Sequence, residues 1–212
     1  MAMNLLGGSL SLANHHEDAL SVKEAELSMK QRLGLSEGSI LIAQGNLAYT
    51  CRRSGRHERA LQIERDVHAG CLRLYGEEDE HTLIAAGNYA NSLLDLERFE
   101  EAKALLRRTI PVTRRVLGDS SRTTLAQRCS YAESLYEDPG ATLDDLREAV
   151  TTLEEVERIA RRVLGGAHPL TVDIELELRD ARAALRAREE AASGDVSALC
   201  EALEAVPPGD AN

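Results

Sequence analysis

The chain has 212 residues, a formal net charge of −11 and 43% hydrophobic residues, with aromatics at only 3%. An acidic chain of pI about 5.1 lacks the clustered cations that phosphate backbones and anionic bilayers attract, so nucleic-acid and membrane-surface binding are disfavoured. No stretch approaches the ~18 apolar residues of a membrane span, and the N-terminal MAMNLLGGSLSLANHH lacks a basic leader, so it does not read as a signal peptide.

Residues 1–13 read as a truncated helix, and 17–33 as its partner, with Ala19, Leu20, Val22 and Leu27 on one stripe and Gly34 at its end. A second pair follows: helix 39–53, a Ser54-Gly55 turn, then helix 57–74. The third pair, 80–118, is the clearest. Leu83, Ile84, Gly87, Ala90, Leu93 and Leu94 recur at steps of three and four, and Thr82 is the expected N-cap. The pattern breaks around Glu97. A second stripe, Phe99, Ala102, Leu105, Leu106 and Ile110, runs to Gly118, a left-handed C-cap, with Pro111 expected to bend the helix.

The fourth pair departs from this. Its first helix, 122–137, meets the turn Glu137-Asp138-Pro139-Gly140, and its second is displaced by a lengthened loop that ends at Thr142 or Asp144 as N-cap. Residues 168–189 open a fifth unit as a charged helix. Ser193-Gly194-Asp195 are expected to break it before a short last helix, 196–206, and PPGDAN reads as a frayed tail.

These pairs repeat at a constant shift of 42 residues. Gly45-Asn46 recurs as Gly87-Asn88, Ala48 as Ala90 and Ala132, Ala60 as Ala102, and Gly76 as Gly118. Only the fourth second helix breaks step, with Ala149 answering Ala102 at a shift of 47. A fixed period of this length signals a solenoid or propeller. Helical periodicity and the absence of Trp argue against a propeller. HEAT and armadillo repeats fit the length, but the recurring alanines mark close helix crossings that decide against them. The units are about 1–36, 37–79, 80–121, 122–167 and 168–206 of a single array, with 207–212 as a disordered tail.

Gly45-Asn46-Leu47-Ala48, then Gly55-Arg56-His57-Glu58-Arg59-Ala60, then Leu164-Gly165-Gly166-Ala167-His168-Pro169-Leu170-Thr171 resemble the tetratricopeptide repeat in its longer, kinesin-light-chain-like form. The resemblance covers about residues 3–187. It implies an all-α right-handed α-solenoid of stacked helical hairpins, with the first helix of each pair lining a concave groove. It further implies a non-catalytic protein–protein interaction module that binds a peptide or partner segment. The alternative is a sensor or scaffold fragment of a larger assembly, such as a motor adaptor or signalling ATPase.

The groove candidates are residues that recur on that inner face. One ladder is Asn4, Asn46, Asn88 and Ser130; a second is Tyr49, Asn91 and Glu133; a third is Arg52, Leu94 and Tyr136, flanked by Arg53, Asp95 and Glu137. An asparagine amide both donates and accepts, so a row of them can hold a peptide backbone without reading its side chains. The competing reading is that Asn46 and Asn88 brace neighbouring helices. The sign change from Arg52-Arg53 to Asp95, Glu133 and Glu137 suits a ligand of mixed charge. A clamp for a C-terminal carboxylate does not fit, because Ile42 stands where a lysine is needed and Ser130 replaces a cation.

No GxSxG, HExxH or P-loop pattern occurs, and the six histidines are dispersed without ligand spacing, so no catalytic residue, cofactor or metal is expected. Cys51, Cys71, Cys129 and Cys200 form no CxxC pair and read as buried free thiols of a reducing, cytoplasmic environment. The pairs Arg107-Arg108, Arg114-Arg115 and Arg161-Arg162 are placed late in second helices, where cations complement the helix dipole. The first unit has no polar cap ahead of it, which leaves self-association through the N-terminal end open.

Overall fold

The computed structural model describes residues 16–204. The expected helix over 1–13, with Asn4, and the tail 207–212 lie outside them, and with them the basis for the self-association reading. The described residues form eight helices and no strand. They are α1 (His16–Arg32), α2 (Glu37–Arg53), α3 (His57–Tyr75), α4 (Glu80–Leu94), α5 (Phe99–Leu117), α6 (Arg122–Tyr136), α7 (Leu143–Leu164) and α8 (Pro169–Glu204). The chain divides into two compact units, one through Ser134 and one from Leu135.

In the first unit α1, α2, α3, α4 and α5 each pack on the next. The recurring alanines explain how. Ala48, Ala90 and Ala132 on the first helices, and Ala60 and Ala102 on the second, are wholly buried, so the backbones approach with only a methyl group between them. Apolar side chains fill the rest: Leu20, Leu47, Cys51 and Ala60 form one cluster, and Leu41, Val67, Cys71 and Ala85 another, with Ile63 packed against both. Cys51, Cys71 and Cys129 are buried and form no disulfide, and burial pushes the Cys51 and Cys71 thiols up.

The turns inside the hairpins are built alike. Arg56 N–H reaches back to the Cys51 carbonyl at 2.9 Å, and Arg98 N–H to the Leu93 carbonyl at 3.0 Å, satisfying carbonyls that the helix ends leave open. This requires a left-handed residue before each arginine. Gly55 supplies it at φ 72°, and Glu97, at the equivalent position, adopts φ 57°. A side chain in that region costs about 1–2 kcal/mol. Glu97→Gly is therefore expected to raise stability by about 0.5–1 kcal/mol, read as a higher urea midpoint with an unchanged slope.

Gly34 closes α1 at φ 62°, but the later joints between hairpins end in glycine outside the left-handed helical conformation that the sequence suggests. Gly76, Gly118 and Gly165 have φ of 86°, 88° and 89° with ψ of 176°, 159° and 157°. Only glycine occupies this extended, positive-φ region readily. The joint at Gly76 also moves a cap. Helix α4 starts a turn earlier than expected: Asp79, not Thr82, caps it, accepting from His81 N–H at 2.8 Å, while Thr82 is buried within the helix. Aspartate caps at least as well as threonine.

In the second unit α7 packs on α8. Ala149, Leu153, Val156 and Ala160 of α7 and Ile174 and Ala181 of α8 are wholly buried. Thr142 caps α7 in a capping box with Asp145: Asp145 N–H donates to Thr142 Oγ1 at 3.1 Å, and Thr142 N–H to Asp145 Oδ2 at 3.0 Å. Helix α8 does not break at Ser193-Gly194-Asp195. A lone glycine costs a helix only ~1 kcal/mol. Ser193 Oγ bonds back to the Glu189 carbonyl at 2.9 Å within the same helix. The lengthened loop gives this extra helix something to hold: Arg188 donates to the Ala141 carbonyl at 2.8 Å, and Arg147 meets Glu189 at 3.3 Å.

Candidate interaction groove

The first helices of successive hairpins, α2, α4 and α6, lie side by side in the first unit. Three contacts fix their spacing. Gln127 of α6 donates from Nε2 to the Leu83 carbonyl of α4 at 2.7 Å and accepts from Thr113 Oγ1 of α5 at 2.8 Å. Ser130 Oγ of α6 donates to Asn91 Oδ1 of α4 at 2.6 Å. Arg52 of α2 grips Asp95, just past α4, through Nε at 2.5 Å and Nη2 at 3.1 Å.

Between α2 and α4 a cleft opens, with a volume of about 380 Å³. Its walls are Ile42, Gly45, Asn46 and Tyr49 of α2 and His81, Ile84, Ala85 and Asn88 of α4; Val67, Cys71 and Tyr75 of α3 close the floor. Ile42 and Tyr49 are 50% and 56% exposed and, with Ile84, give the cleft an apolar strip open to solvent. Asn46 and Asn88 are half-buried on either side. Among the described residues neither side-chain amide makes a hydrogen bond. The carbonyl of Asn46 accepts from Thr50 Oγ1 at 3.0 Å, but that is a bond within α2.

The other candidates divide. Arg53 is exposed at the end of α2, next to Arg52. Ser130 is buried, 7% exposed, and its bond to Asn91 ties α6 to α4; Glu133 is half-buried one turn further along α6. Two members of the expected charge series, Arg52 and Asp95, are bound to each other, while Arg53 and Glu137 stay exposed. Burial pushes the Asp95 carboxyl up, but the Arg52 guanidinium and then His57, whose Nδ1 lies 3.4 Å away, outweigh it and hold the group below the usual carboxylate range. The pair closes on itself across 43 residues of sequence, a distance over which no local pattern signals a partner.

The arginine pairs also divide. Arg114-Arg115 and Arg161-Arg162 sit in last turns, as expected. Arg107-Arg108 lie mid-helix, and Arg107 instead donates to Tyr131 Oη at 2.9 Å, with its guanidinium 5.7 Å above that ring.

One residue escaped the sequence reading. Glu64 of α3 is 1% exposed, and its Oε2 has no hydrogen-bond partner. Burial pushes its carboxyl up to about 8, against a smaller opposing pull from Arg52. The repeat carried the signal: the equivalent positions are Leu106 and Leu153, both wholly buried.

Among the described residues no three His, Cys, Asp or Glu side chains gather as a metal site would need, and no helix is long and apolar enough to cross a membrane. The arrangement is that of a helical-hairpin repeat with a polar-rimmed cleft on its first helices. Residues 39–115 match the tetratricopeptide repeat family. The fold is shared with a Podosopora anserina structure described as kinesin light chain nearly identical TPR-like repeats: 21% identity, TM-score 0.71, covering 97% of this chain and 96% of that one. A variant of the same protein gives a TM-score of 0.73 at the same identity and coverage. BtubC (BKLC) of P. vanneervenii is similar at 16% identity and TM-score 0.70, covering 99% of this chain and 83% of that one. No curated protein matches. Residues 39–115 thus carry tetratricopeptide repeats, and the chain shares the all-α fold of these kinesin-light-chain-like repeat structures; repeats of this class are in general protein-interaction modules.

Proposed function

We propose that the cleft between α2 and α4 is a protein-interaction groove that holds an extended peptide or partner segment and carries out no chemistry of its own. The observation behind this reading is the state of Asn46 and Asn88. Both stand mid-helix, where asparagine is a poor helix former. Neither amide bonds within the described chain, and between them lies an exposed apolar strip. Amides that brace nothing are available to an incoming backbone, each offering a donor and an acceptor. Tyr49 and Arg53 extend the same face along α2. Asn91, Ser130 and Glu133 continue it on α4 and α6, the first two after committing one hydrogen bond to each other.

Selection of random linear peptides displayed on phage against the immobilised full chain provides the test. Asn46→Ala with Asn88→Ala is expected to weaken the retained peptides at least about tenfold, the effect of losing backbone hydrogen bonds in a partly desolvated groove. Helical circular dichroism and Tm should stay at wild-type values. Peptides that bind the double variant as well as wild type would refute the groove. A fall in Tm of many degrees would assign the asparagines to bracing.

A further inference from the structure

The two junctions between first helices described in the first unit can be compared position by position, because the repeat is constant at 42 residues there. At the α4–α6 junction Gln127 fills the space between the helices. It lies close over Gly87, where an added Cβ would meet its Cγ at 3.3 Å, and its amide joins the Leu83 carbonyl to Thr113 Oγ1. At the α2–α4 junction the equivalents are Gly45 for Gly87, Leu41 for Leu83, Cys71 for Thr113 and Ala85 for Gln127. All four line the cleft. The plug is missing: Ala85 is too short to fill the space, and an added Cβ on Gly45 would meet nothing within 4 Å.

Gln127 is therefore an internal guide to what the open junction accepts. The space it would occupy remains, but its polar anchor does not. Thr113 offered a hydroxyl; Cys71 offers a thiol, a weak donor that behaves as a small hydrophobe, and Leu41, Val67 and Ala85 surround it. A glutamine-like amide placed there would keep one hydrogen bond and lose the other, whereas an apolar group loses nothing on entry. We infer that the cleft at Gly45 and Ala85 is a pocket for one large apolar side chain of the bound segment. Gln127 closes the corresponding pocket one repeat on, so of these two junctions only the first reads the ligand. This rests on the groove proposed above: Asn46 and Asn88 hold the segment's backbone, and Ala85 and Cys71 select the side chain between them.

Amide NMR spectra of the nitrogen-labelled full chain, titrated with N-acetyl-leucinamide, N-acetyl-tryptophanamide and N-acetyl-glutaminamide, read the pocket directly. The two apolar probes should shift Gly45, Asn46, Ala85 and Asn88, and the glutamine probe should not. Cys71→Thr with Ala85→Gln rebuilds the plug, and apolar-probe binding should weaken at least about tenfold, as when a buried anchor is excluded, with Tm held or raised. Gln127→Ala opens the second junction, where Thr113 and the Leu83 carbonyl remain, so the glutamine probe should now shift Gly87. Apolar probes that leave Gly45 unmoved, or that bind the rebuilt-plug variant as well as wild type, would overturn the inference. Apolar probes that bind here while the phage selection retains no peptide would leave the pocket standing and remove the groove function. Selected peptides that share no apolar residue and ignore the Cys71→Thr/Ala85→Gln change would do the reverse.

Discussion

Glu64→Gln is expected to raise the unfolding free energy by on the order of 4 kcal/mol at pH 8 and to leave it nearly unchanged at pH 4.5. The carboxyl is buried with one oxygen unpartnered, and its folded value of about 8 stands well above the ordinary 4.5. The folded chain thus holds a proton that the unfolded chain gives up. Below pH 4.5 both states are protonated and Glu64 costs no ionisation penalty. As pH rises through the window from 4.5 to about 8 the penalty grows, and above that it is present in full. Glutamine has the same shape and cannot ionise, so the difference between variant and wild type should climb across that window. Urea denaturation at stepped pH measures it. A difference that stays flat with pH would mean that Glu64 is solvated or paired. Glu64→Leu, which restores the residue found at 106 and 153, should stabilise at every pH.

Ala90→Leu is expected to cost about 3 kcal/mol or more, visible as a large drop in Tm or as loss of the cooperative transition. Ala90 is wholly buried on α4, as are Ala48 on α2 and Ala132 on α6. Three added carbons have no space to enter, so the helices must separate or the side chain must leave its rotamer wells. Separation would strain Gln127 on Leu83 and Ser130 on Asn91, because both bonds span the same pair of helices. Leu72→Ala, on a side chain that is 39% exposed, controls for the change of volume alone and should fall well short of that loss. A variant at Ala90 that melts with wild type would mean that the recurring alanines are incidental to the stacking.

The repeat was legible because it rests on local chemistry. Helical spacing of apolar residues, Gly55 and Gly118 at turns, and buried alanines at crossings are all decided within a few residues of chain. The cleft was legible in part: recurrence places Asn46, Asn88 and Tyr49 on one face, and all three line it. What escaped depends on contacts across the repeat. Nothing near Arg52 announces Asp95. Nothing near Gln127 announces that it fills a junction, until Ala85 is seen in its place. Glu64 carries no signal of its own, because a charged residue marks a surface position; only alignment with Leu106 and Leu153 shows that its place is in the core. Thr82 precedes the apolar stripe and so suggests a cap, yet Asp79 stands a turn earlier and caps the helix. Ser193-Gly194-Asp195 read as a stop, but a helix with distant anchors such as Arg188 tolerates one unfavourable residue.

The joints at Gly76 and Gly118 carry a consequence for how such a chain can change length. Both hold the same two backbone angles to within 17°, in a region that demands no particular neighbour and tolerates only glycine. Gene-level splicing that cuts at one of these glycines and rejoins at the other would add or remove a whole hairpin while reproducing the corner already present. Modules of this kind can be duplicated in frame without redesign; the repeated segment 77–118 carries Ala85 and Thr113 but not Cys71, so the added junction would stand open with a threonine hydroxyl at its floor.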